Sequence, residues 1–345
     1  MSPKITICIP TFNRSDLLNQ ALQSVAMQTI KPFEVLIVDN ASTDNTQDIV
    51  KKYDIYGFRY IRNSTNVGMV ENWNVGIRNA NGDYISFLHN DDLIAPTWYE
   101  EWLHIIQNNN ARFYTGSIAI IDQYNKPLYS CHTFTKSKLI PKDHVFHEFW
   151  THLSPAIAPT AASIYDLTLF KDTGMFDASK GTEADVIKFL EVFSITDVYY
   201  LDKLLFTYRS HPGQGFDKVA QTKSLERELS RLDNYFSILA GFYERQFKSD
   251  DNHRFFIQYP LSMTFAPAVL YLAKGDVNKV KGYYHTLVKH FPSFFNRAGD
   301  WSVFLRVFTF FIGRALFGKF ISSNDRKQLD WIKNITSSSD SSHSL

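Results

Sequence analysis

The sequence lacks the features that mark secreted, disulfide-stabilised or nucleic-acid-binding proteins. Its 345 residues contain only two cysteines, Cys8 and Cys131, which exclude a disulfide framework or a cysteine-rich zinc site. The formal net charge of +1 provides no basic field that would recruit nucleic acid. The first apolar run is too short for a secretory signal and ends at Pro10. We therefore expect a cytosolic protein that binds no nucleic acid.

The sequence also lacks a glycine-rich phosphate loop. The segment after the first apolar run, Pro10–Arg14, contains no glycine, and no G-x-G-x-x-G pattern follows it. This excludes a nicotinamide dehydrogenase and counts against a sugar nucleotidylyltransferase, which needs glycines at this place. Hydrophobic residues nevertheless make up 44% of the chain and charged residues 21%, as in globular proteins. The length allows two domains, or one large domain with an appendage.

The first 92 residues alternate short apolar runs with amphipathic segments. The runs at Ile5–Ile9, Glu34–Val38, Phe58–Ile61 and Tyr84–Leu88 predict strands, and the stretches between them have helical spacing. This β-α-β-α-β-α-β order predicts an α/β fold with a mostly parallel, Rossmann-like sheet flanked by helices. Right-handed crossovers bring the carboxyl ends of all four strands to one edge, where ligands of such sheets bind.

The fourth strand leads directly into His89-Asn90-Asp91-Asp92. Two adjacent carboxylates repel each other unless a cation or water neutralises the repulsion, and Mg²⁺ or Mn²⁺ uses such carboxylates together with phosphate oxygens. A solvated acidic turn that caps the next helix is the alternative interpretation. Polar residues follow the other three strands at the same predicted edge. They are Thr11, Asn13 and Arg14, then Asp39 and Asn40, then Arg62 and Asn66.

The second half of the chain has a less regular pattern. Arg112–Ile121 and Leu128–Phe134 predict a hairpin, a helix is predicted to begin at Glu183-Ala184-Asp185, and Val198–Tyr208 predicts a strand. Beyond about residue 216 the pattern is helical. We therefore predict two halves of one α/β domain, a C-terminal helical extension and a disordered serine-rich tail. The predicted boundaries are 1–105, 106–215, 216–336 and 337–345.

Several motifs in this order resemble glycosyltransferase family 2, whose fold is called GT-A. Each motif is short, but their order and spacing agree with the family over roughly residues 3–212. The resemblance implies an inverting, non-processive transfer of a sugar from a nucleotide-diphosphate sugar, with a divalent cation, Mn²⁺ or Mg²⁺, as cofactor. The matching stretches are Pro10–Arg14, Val35–Asp44, Asn66–Gly68, Asn74–Ile77, Ala80–Asp92, Gly174–Asp177 and Asp185.

The resemblance also implies roles for individual residues. Asp39 would accept the N3–H of uracil, Thr11 would bracket the base, and Asp91 would ligate the cation that bridges the diphosphate. The implied donor-binding residues are Pro10, Thr11, Asn13, Arg14, Asp39, Asn66, Gly68, Asn90, Asp91 and Asp92. The implied metal-binding residues are Asp91, Asp92 and His211.

The resemblance implies that Asp185 is the catalytic base. An acceptor hydroxyl needs a carboxylate to take its proton, and in-line attack requires that carboxylate on the face opposite the leaving diphosphate. A residue far along the chain from the metal turn can meet this requirement. Glu183 is the alternative base, and a purely structural role for Asp185 at the start of a helix is the other interpretation.

Three positions depart from the family pattern. His89 stands where many members have the first Asp of D-x-D; it could ligate a softer cation such as Mn²⁺ or contact ribose. Trp73 replaces a basic residue and is predicted to lie in the core. The Gln-x-x-Arg-Trp motif of processive synthases is replaced by Tyr208-Arg209-Ser210-His211, which favours single additions. His211 could contact metal or diphosphate, or neither.

The stretch 301–320 is apolar but contains Arg306 and Arg314. It predicts either a helix in a membrane interface or a packed or dimer-forming helix, rather than a spanning segment. The family resemblance places the chain in assembly of bacterial surface polysaccharide, such as O-antigen or capsule, on the inner face of the cytoplasmic membrane. The acceptor would be a glycan or a lipid-linked glycan. The alternatives are a degenerate protein that binds nucleotide sugars without catalysis and, less favoured, a sugar nucleotidylyltransferase.

Overall fold

The computed structural model describes residues 2–151, 160–211 and 322–339, and eight isolated residues between 233 and 290. The chain divides into two compact units. One contains Met1–Lys142, Ala156–His211 and Ile321–Leu345, and the other contains Asp143–Pro155 and Pro212–Phe320. The predicted membrane-interface helix at 301–320 lies outside the described residues.

The first four strands of the first unit form a parallel sheet in the order β3-β2-β1-β4, which confirms the predicted topology of the N-terminal half. Three helices connect these strands. The strands are β1 (Ile5–Thr11), β2 (Glu34–Asp39), β3 (Arg59–Arg62) and β4 (Tyr84–Phe87), and the helices are α1 (Ser15–Ala26), α2 (Thr46–Lys51) and α3 (Met69–Asn79).

The sheet continues beyond β4 in the order β9-β6-β10-β5, with β7 beside β6 and β8 beside β10. The sheet is therefore mixed rather than mostly parallel: its described strands form four parallel and five antiparallel pairs. The added strands are β5 (Leu93–Ile94), β6 (Phe113–Ile121), β7 (Pro127–Cys131), β8 (Lys138–Ile140), β9 (Ser163–Asp166) and β10 (Val198–Arg209). The helices are α4 (Trp98–Asn108), α5 (Lys142–Thr151), α6 (Leu169–Thr173) and α7 (Ala184–Phe193).

The departure from a mostly parallel sheet has a topological reason. The predicted hairpin is present as β6 and β7, and short turns of this kind can join only antiparallel strands. Asn125 allows the turn because it adopts a positive φ of 66°. Strand β9 returns between β4 and β6, antiparallel to both. The α/β class is confirmed, and its parallel character belongs to the N-terminal half.

The helices pack closely on the parallel strands. Cys8 is fully buried in β1, as predicted, and a Cβ atom at Gly76 of α3 would overlap its sulfur. Only glycine therefore allows α3 to approach β1 this closely. Trp73, on the same helix, is buried as predicted. This packing fixes α3 above the end of β4, where the acidic turn begins.

Two C-terminal helices, α8 (Ser323–Gln328) and α9 (Ile332–Ser339), complete the first unit. Leu329, Ile332 and Ile335 join a buried cluster with Leu93 and Leu204. Residues 337–339, which we predicted to be the start of a disordered tail, form the end of helix α9. Residues 340–345 lie outside the described residues. Among the described residues, no helix has the length and apolarity to cross a bilayer.

Candidate active site

The acidic turn at the end of β4 is held by the first strand. Leu88 donates its backbone N–H to the carbonyl of Cys8 (2.9 Å), and the turn closes when Asp92 N–H donates to His89 O (3.1 Å). The Asn90 side chain donates to the hydroxyl of Thr11 (2.8 Å), the last residue of β1. Because Pro10 and Thr11 lie beside β2, the turn is joined directly to the edge where Asp39 lies.

The Asp91 carboxylate lies between two basic side chains. Its Oδ2 atom forms an ion pair with Arg14 Nη1 (2.5 Å) and lies 3.1 Å from His211 Nε2. Burial would raise the pKa of Asp91, but the hydrogen bond from His211 and the nearby His89 and Arg14 outweigh it and lower the pKa. Asp91 is therefore ionised at neutral pH, as a metal ligand requires.

The Asp92 carboxylate is fully buried and only partly satisfied. Its Oδ1 atom accepts the backbone N–H of Arg209 (2.9 Å), while Oδ2 has no hydrogen-bond partner among the described residues. Burial and the adjacent charge of Asp91 raise its pKa well above the usual range. A buried carboxylate oxygen without a partner is costly, and a cation at this place would satisfy it.

The imidazole of His89 lies beside both carboxylates. It stacks on Trp73 with ring centroids 5.8 Å apart and planes 10° apart. Its Nδ1 atom lies 3.8 Å from Asp92 Oδ2, and burial lowers its pKa. One ligand atom each from His89, Asp91 and Asp92 lie within 4.8 Å of one another. This donor set suits a divalent cation of the Mn²⁺ type.

Arg209 is a fully buried arginine that links three parts of the site. Its Nε donates to the backbone carbonyl of Asp91 (2.6 Å), and its Nη2 donates to Gln20 Oε1 on α1 (3.1 Å). Its Nη1 bonds the side chain of Asn125 in the β6–β7 turn. Together with its backbone bond to Asp92, Arg209 fixes both acidic residues from the end of β10.

Asp39 lies at the end of β2 in a dense polar cluster. Its Oδ1 accepts the backbone N–H of Ser42 (2.9 Å), and its Oδ2 accepts the hydroxyl of Tyr60 (2.6 Å) and lies 3.4 Å from Arg62 Nε. Burial and this hydrogen bond raise the pKa of Tyr60 far above its usual value, so the phenol remains a donor. A carboxylate has about four acceptor positions, so Asp39 can still accept one further N–H.

The neighbouring loops are organised by asparagine side chains. Asn40 donates to Asn66 Oδ1 (2.8 Å) and accepts from Val67 N–H (2.9 Å), and Asn66 also accepts from the N–H of Gly68 (2.9 Å). Gly68 has a φ of 89°, which favours glycine. Asn13, with a φ of 49°, accepts from Thr43 N–H (2.7 Å). These bonds tie the loops after β1, β2 and β3 together.

Asp185 lies in the first turn of α7, two residues after the buried Glu183. One oxygen of Asp185 accepts the backbone N–H of Val186 (2.7 Å). Burial, with a smaller contribution from Glu183, raises the pKa of Asp185 to about 6. A carboxyl with this pKa can exchange a proton near neutral pH. Among the described residues, Asp185 has no hydrogen bond to the acidic turn.

Aromatic rings connect the start of α7 to the acidic turn. Phe176 packs edge-on against Trp73 (5.4 Å between centroids), the residue on which His89 stacks. Its backbone N–H and C=O both bond the side chain of Asn74, at 3.0 and 2.9 Å. Lys188 of α7 is buried and donates to Gly174 O (2.9 Å). The Gly174–Asp177 segment thus joins α3 to α7.

Comparison with known proteins agrees with this geometry. Residues 6–172 match the family model described as glycosyl transferase family 2. This stretch is a glycosyltransferase family 2 domain. An uncharacterized glycosyltransferase of Rickettsia typhi is 28% identical over 260 residues, covering 72% of this chain and 74% of that protein. Glycosyltransferase GlyA of Streptococcus pneumoniae is 27% identical over 247 residues, covering 69% of this chain and 35% of that protein.

Solved structures share the fold of this glycosyltransferase. TarS 1–349 of S. aureus, in complex with UDP-GlcNAc, has a TM-score of 0.54 at 19% identity and covers 83% of this chain and 92% of that one. The mannosyltransferase PcManGT of Pyrobaculum calidifontis, with GDP-Man and Mn²⁺, has a TM-score of 0.50 at 14% identity and covers 97% and 86%. The GT-A fold predicted from the motifs is therefore confirmed.

The structure of the glycosyltransferase brings most of the predicted donor-site residues to one edge, and adds residues that the sequence did not single out. Tyr60 is the hydroxyl donor to Asp39, and Gln20 and Asn125 share Arg209. The hydroxyl of Tyr60, inside the short strand β3, was the one available signal, since tyrosine presents a polar tip on an apolar ring. The sequence around Gln20 and Asn125 does not indicate their role, because their shared partner, Arg209, lies far along the chain.

Proposed function

We propose that this glycosyltransferase moves one sugar at a time, with inversion, from a UDP-sugar to a glycan or lipid-linked acceptor, and that a divalent cation assists the step. The observation that carries the proposal is the convergence of Thr11, Asp39, Asp91 and Asp92 at the carboxyl ends of adjacent strands. This is the crevice in which open α/β sheets bind nucleotides. The carboxylates occupy two positions in the crevice. Asp39 is proposed to mark its nucleoside end, and the Asp91–Asp92 pair its diphosphate end.

At the nucleoside end, Asp39 is proposed to accept an N–H of the base while Tyr60 and Ser42 hold its carboxylate in place. Thr11 lies beside Asp39 across the β1–β2 pair, and the Asn66–Gly68 loop is bonded to Asn40, the residue after Asp39. TarS, a structural neighbour, was solved with UDP-GlcNAc, while PcManGT was solved with GDP-Man. An acceptor such as Asp39 matches the N3–H of uracil and also the N1–H of guanine, so the UDP assignment rests on the family resemblance and on the likeness to TarS.

At the diphosphate end, Asp91 and Asp92 are proposed to hold a Mn²⁺ or Mg²⁺ ion, and Arg14 and His211 to face the diphosphate. The buried Oδ2 of Asp92, which has no hydrogen-bond partner among the described residues, supports a cation at this place. The ion would supply charge neutralisation for the departing diphosphate. Arg14 pairs with Asp91 and can add a guanidinium contact to a phosphate oxygen at the same place.

Asp185 is the proposed catalytic base. Its pKa of about 6 leaves it ionised at neutral pH and yet basic enough to take the proton of an attacking hydroxyl. Attack from the side opposite the diphosphate would invert the anomeric centre. Glu183 is the second candidate, because it lies two residues away and is also buried. The aromatic contacts through Phe176 and Trp73 support a fixed position for this helix start relative to the acidic turn.

The proposed setting is assembly of bacterial surface polysaccharide on the cytoplasmic side of the membrane, with 301–320 as an interfacial helix.

The membrane role of 301–320 can be tested by substitution. Deleting residues 300–345 would not test it cleanly, because Leu329, Ile332 and Ile335 belong to a buried cluster and their loss would destabilise the fold. We propose the double substitution Arg306→Glu with Arg314→Glu. Cosedimentation with anionic vesicles should fall, while melting temperature stays unchanged; unchanged cosedimentation would dismiss the interfacial role. A double substitution at two exposed lysines, Lys51→Glu at the end of α2 with Lys52→Glu directly after it, is the charge-matched control.

The first experiment is thermal stabilisation by UDP, GDP, dTDP and CMP, each with and without Mn²⁺. A ligand that binds the folded state raises the melting temperature according to its concentration and affinity. The proposal expects a Mn²⁺-dependent shift with UDP, followed by release of UDP from a UDP-sugar panel when acceptor is present. A melting-temperature shift with GDP instead of UDP would mean that the donor is a GDP-sugar. Stabilisation without any turnover would favour a degenerate protein that only binds nucleotide sugars.

A further inference from the structure

We propose that His89 is the third protein ligand of the divalent cation and that it makes the site prefer Mn²⁺ over Mg²⁺. The inference rests on the proposed function, since it assumes that the cation binds at the acidic turn. His89 opens the turn that Asp91 and Asp92 complete. The chain therefore offers one imidazole and two carboxylates within reach of one ion.

The position of the His89 ring supports direct ligation. Its Nδ1 lies 3.8 Å from Asp92 Oδ2, and neither Asp92 Oδ2 nor His89 Nε2 has a hydrogen-bond partner among the described residues. Two ligand atoms about 2.1 Å from a common ion lie roughly 3–4 Å apart, so His89 and Asp92 are already at ligand spacing. The ligand atoms of Asp91 and of these two residues all lie within 4.8 Å of one another.

Trp73 fixes the plane of this imidazole. The two rings are stacked 5.8 Å apart at an interplanar angle of 10°, and Trp73 is itself buried against Phe87 and Phe176. A rigid aromatic support orients a metal-binding histidine in the way that neighbouring groups usually do. This gives Trp73 a function at the site, in place of the basic residue that many family members have there.

His211 is the other histidine near the turn, and its contacts differ. Its Nε2 lies 3.1 Å from Asp91 Oδ2 and 3.3 Å from Arg14 Nη1, so it is already engaged with the ion pair. His211 is thus placed to orient Asp91, whereas His89 Nδ1 faces Asp92 Oδ2 at 3.8 Å, which is beyond hydrogen-bond distance and leaves room for a shared ion. The two histidines can be distinguished experimentally by substituting each one.

Ligand chemistry then determines the choice of metal. Mg²⁺ is a hard ion that binds oxygen ligands in a strict octahedron and keeps most of its water. Imidazole nitrogen suits first-row transition metals, among which Mn²⁺ accepts mixed nitrogen and oxygen ligands. Replacing His89 by aspartate would restore an oxygen-only site. We therefore expect His89→Asp to shift the preference of the protein from Mn²⁺ toward Mg²⁺.

The test is electron paramagnetic resonance of Mn²⁺ bound to the full-length protein with UDP. Pulsed measurements should detect ¹⁴N coupling from a directly bound imidazole, and labelling histidine with ¹⁵N should change that coupling. His89→Gln should abolish the coupling and weaken Mn²⁺ binding by at least about tenfold, while the matched control His211→Gln should retain the coupling. Competition by Mg²⁺ should be at least about tenfold more effective in His89→Asp than in the unchanged protein.

The possible outcomes separate this inference from the proposed function. If Mn²⁺ binds with UDP but shows no histidine coupling, or if the coupling disappears only in His211→Gln, His89 is not a ligand and the inference is wrong, while the proposed function stands. If the unchanged protein binds no Mn²⁺ in the presence of UDP, both fail. Retained folding of each variant is checked by its melting temperature, so that loss of metal binding is not confused with unfolding.

Discussion

The proposed donor side and the proposed acceptor side of this glycosyltransferase are built from different interactions. On the donor side, the loops after β1–β4 are joined by side-chain hydrogen bonds, as between Asn40 and Asn66 and between Asn90 and Thr11. On the proposed acceptor side, α7 and the segment before it make ring contacts, such as Tyr165 against Phe189 and Phe176 against Trp73. One side is a polar network, and the other is an aromatic core.

The difference has a physical reason and a consequence. Hydrogen bonds to buried polar groups require specific partners, because an unsatisfied group costs about 1–3 kcal/mol. Aromatic packing depends on volume and tolerates graded change, since a ring pair contributes about 0.5–1.5 kcal/mol beyond its area. A substitution on the donor side should therefore abolish donor binding outright. A substitution on the acceptor side should instead lower the rate of sugar transfer in proportion to the packing that is lost.

The strongest test of the donor side is Asp91→Asn. The amide keeps an oxygen for Arg14 and His211 but loses the charge that a cation needs, so turnover should fall by about 10³-fold. The melting temperature should change little. Release of UDP from a UDP-sugar gives the rate, and Asp83→Asn, at an exposed residue before β4, is the control. A fully active Asp91→Asn protein would remove the metal role from this residue.

On the acceptor side, Asp185→Asn should lower the rate of transfer by about 10²-fold and leave the affinity for UDP unchanged. The base acts in its deprotonated form, so kcat/KM of the unchanged protein should rise with pH through about 6 and level off above it. That rise should vanish in the variant. Near-normal rates would transfer the role to Glu183, which Glu183→Gln would then confirm.

Arg209→Lys probes the link between the two sides, since Arg209 extends from β10 to the acidic turn. Lysine keeps the charge but cannot bond Asp91, Gln20 and Asn125 together. We expect the affinity for Mn²⁺ with UDP to fall about 10- to 100-fold. Arg112→Lys, at a half-exposed arginine that bonds Asp172, is the control. Equal affinity in both variants would show that the turn keeps its geometry without Arg209.

The smallest expected effect is that of Phe176→Leu. Leucine fills most of the volume but loses the edge contact with Trp73, a change of about 1 kcal/mol. Transfer should slow by several fold, while the affinity for UDP stays the same. Tyr124→Leu, at an exposed ring, should change neither quantity. A loss of UDP affinity in Phe176→Leu would contradict the separation into a polar donor side and an aromatic acceptor side.

The sequence predicted the parallel half of the fold because the information there is local. Strands β1, β2 and β4 contain short apolar runs, and the rule of right-handed crossovers places the ends of the four parallel strands together. The acidic turn was recognisable because two carboxylates directly follow such a run. The order of the motifs was enough to identify the GT-A fold. The antiparallel additions escaped prediction because strand pairing beyond hairpins is not encoded locally.

What the sequence determined by itself is which chemical groups stand at the end of each strand: Thr11, Asp39, and the Asp91–Asp92 pair. What only the tertiary structure decided is how these groups are held. Arg209 meets Asp92 from 117 positions away, Tyr60 meets Asp39 across neighbouring strands, and His89 stacks on Trp73. Such contacts arise from packing of distant segments, so spacing along the chain carries no trace of them.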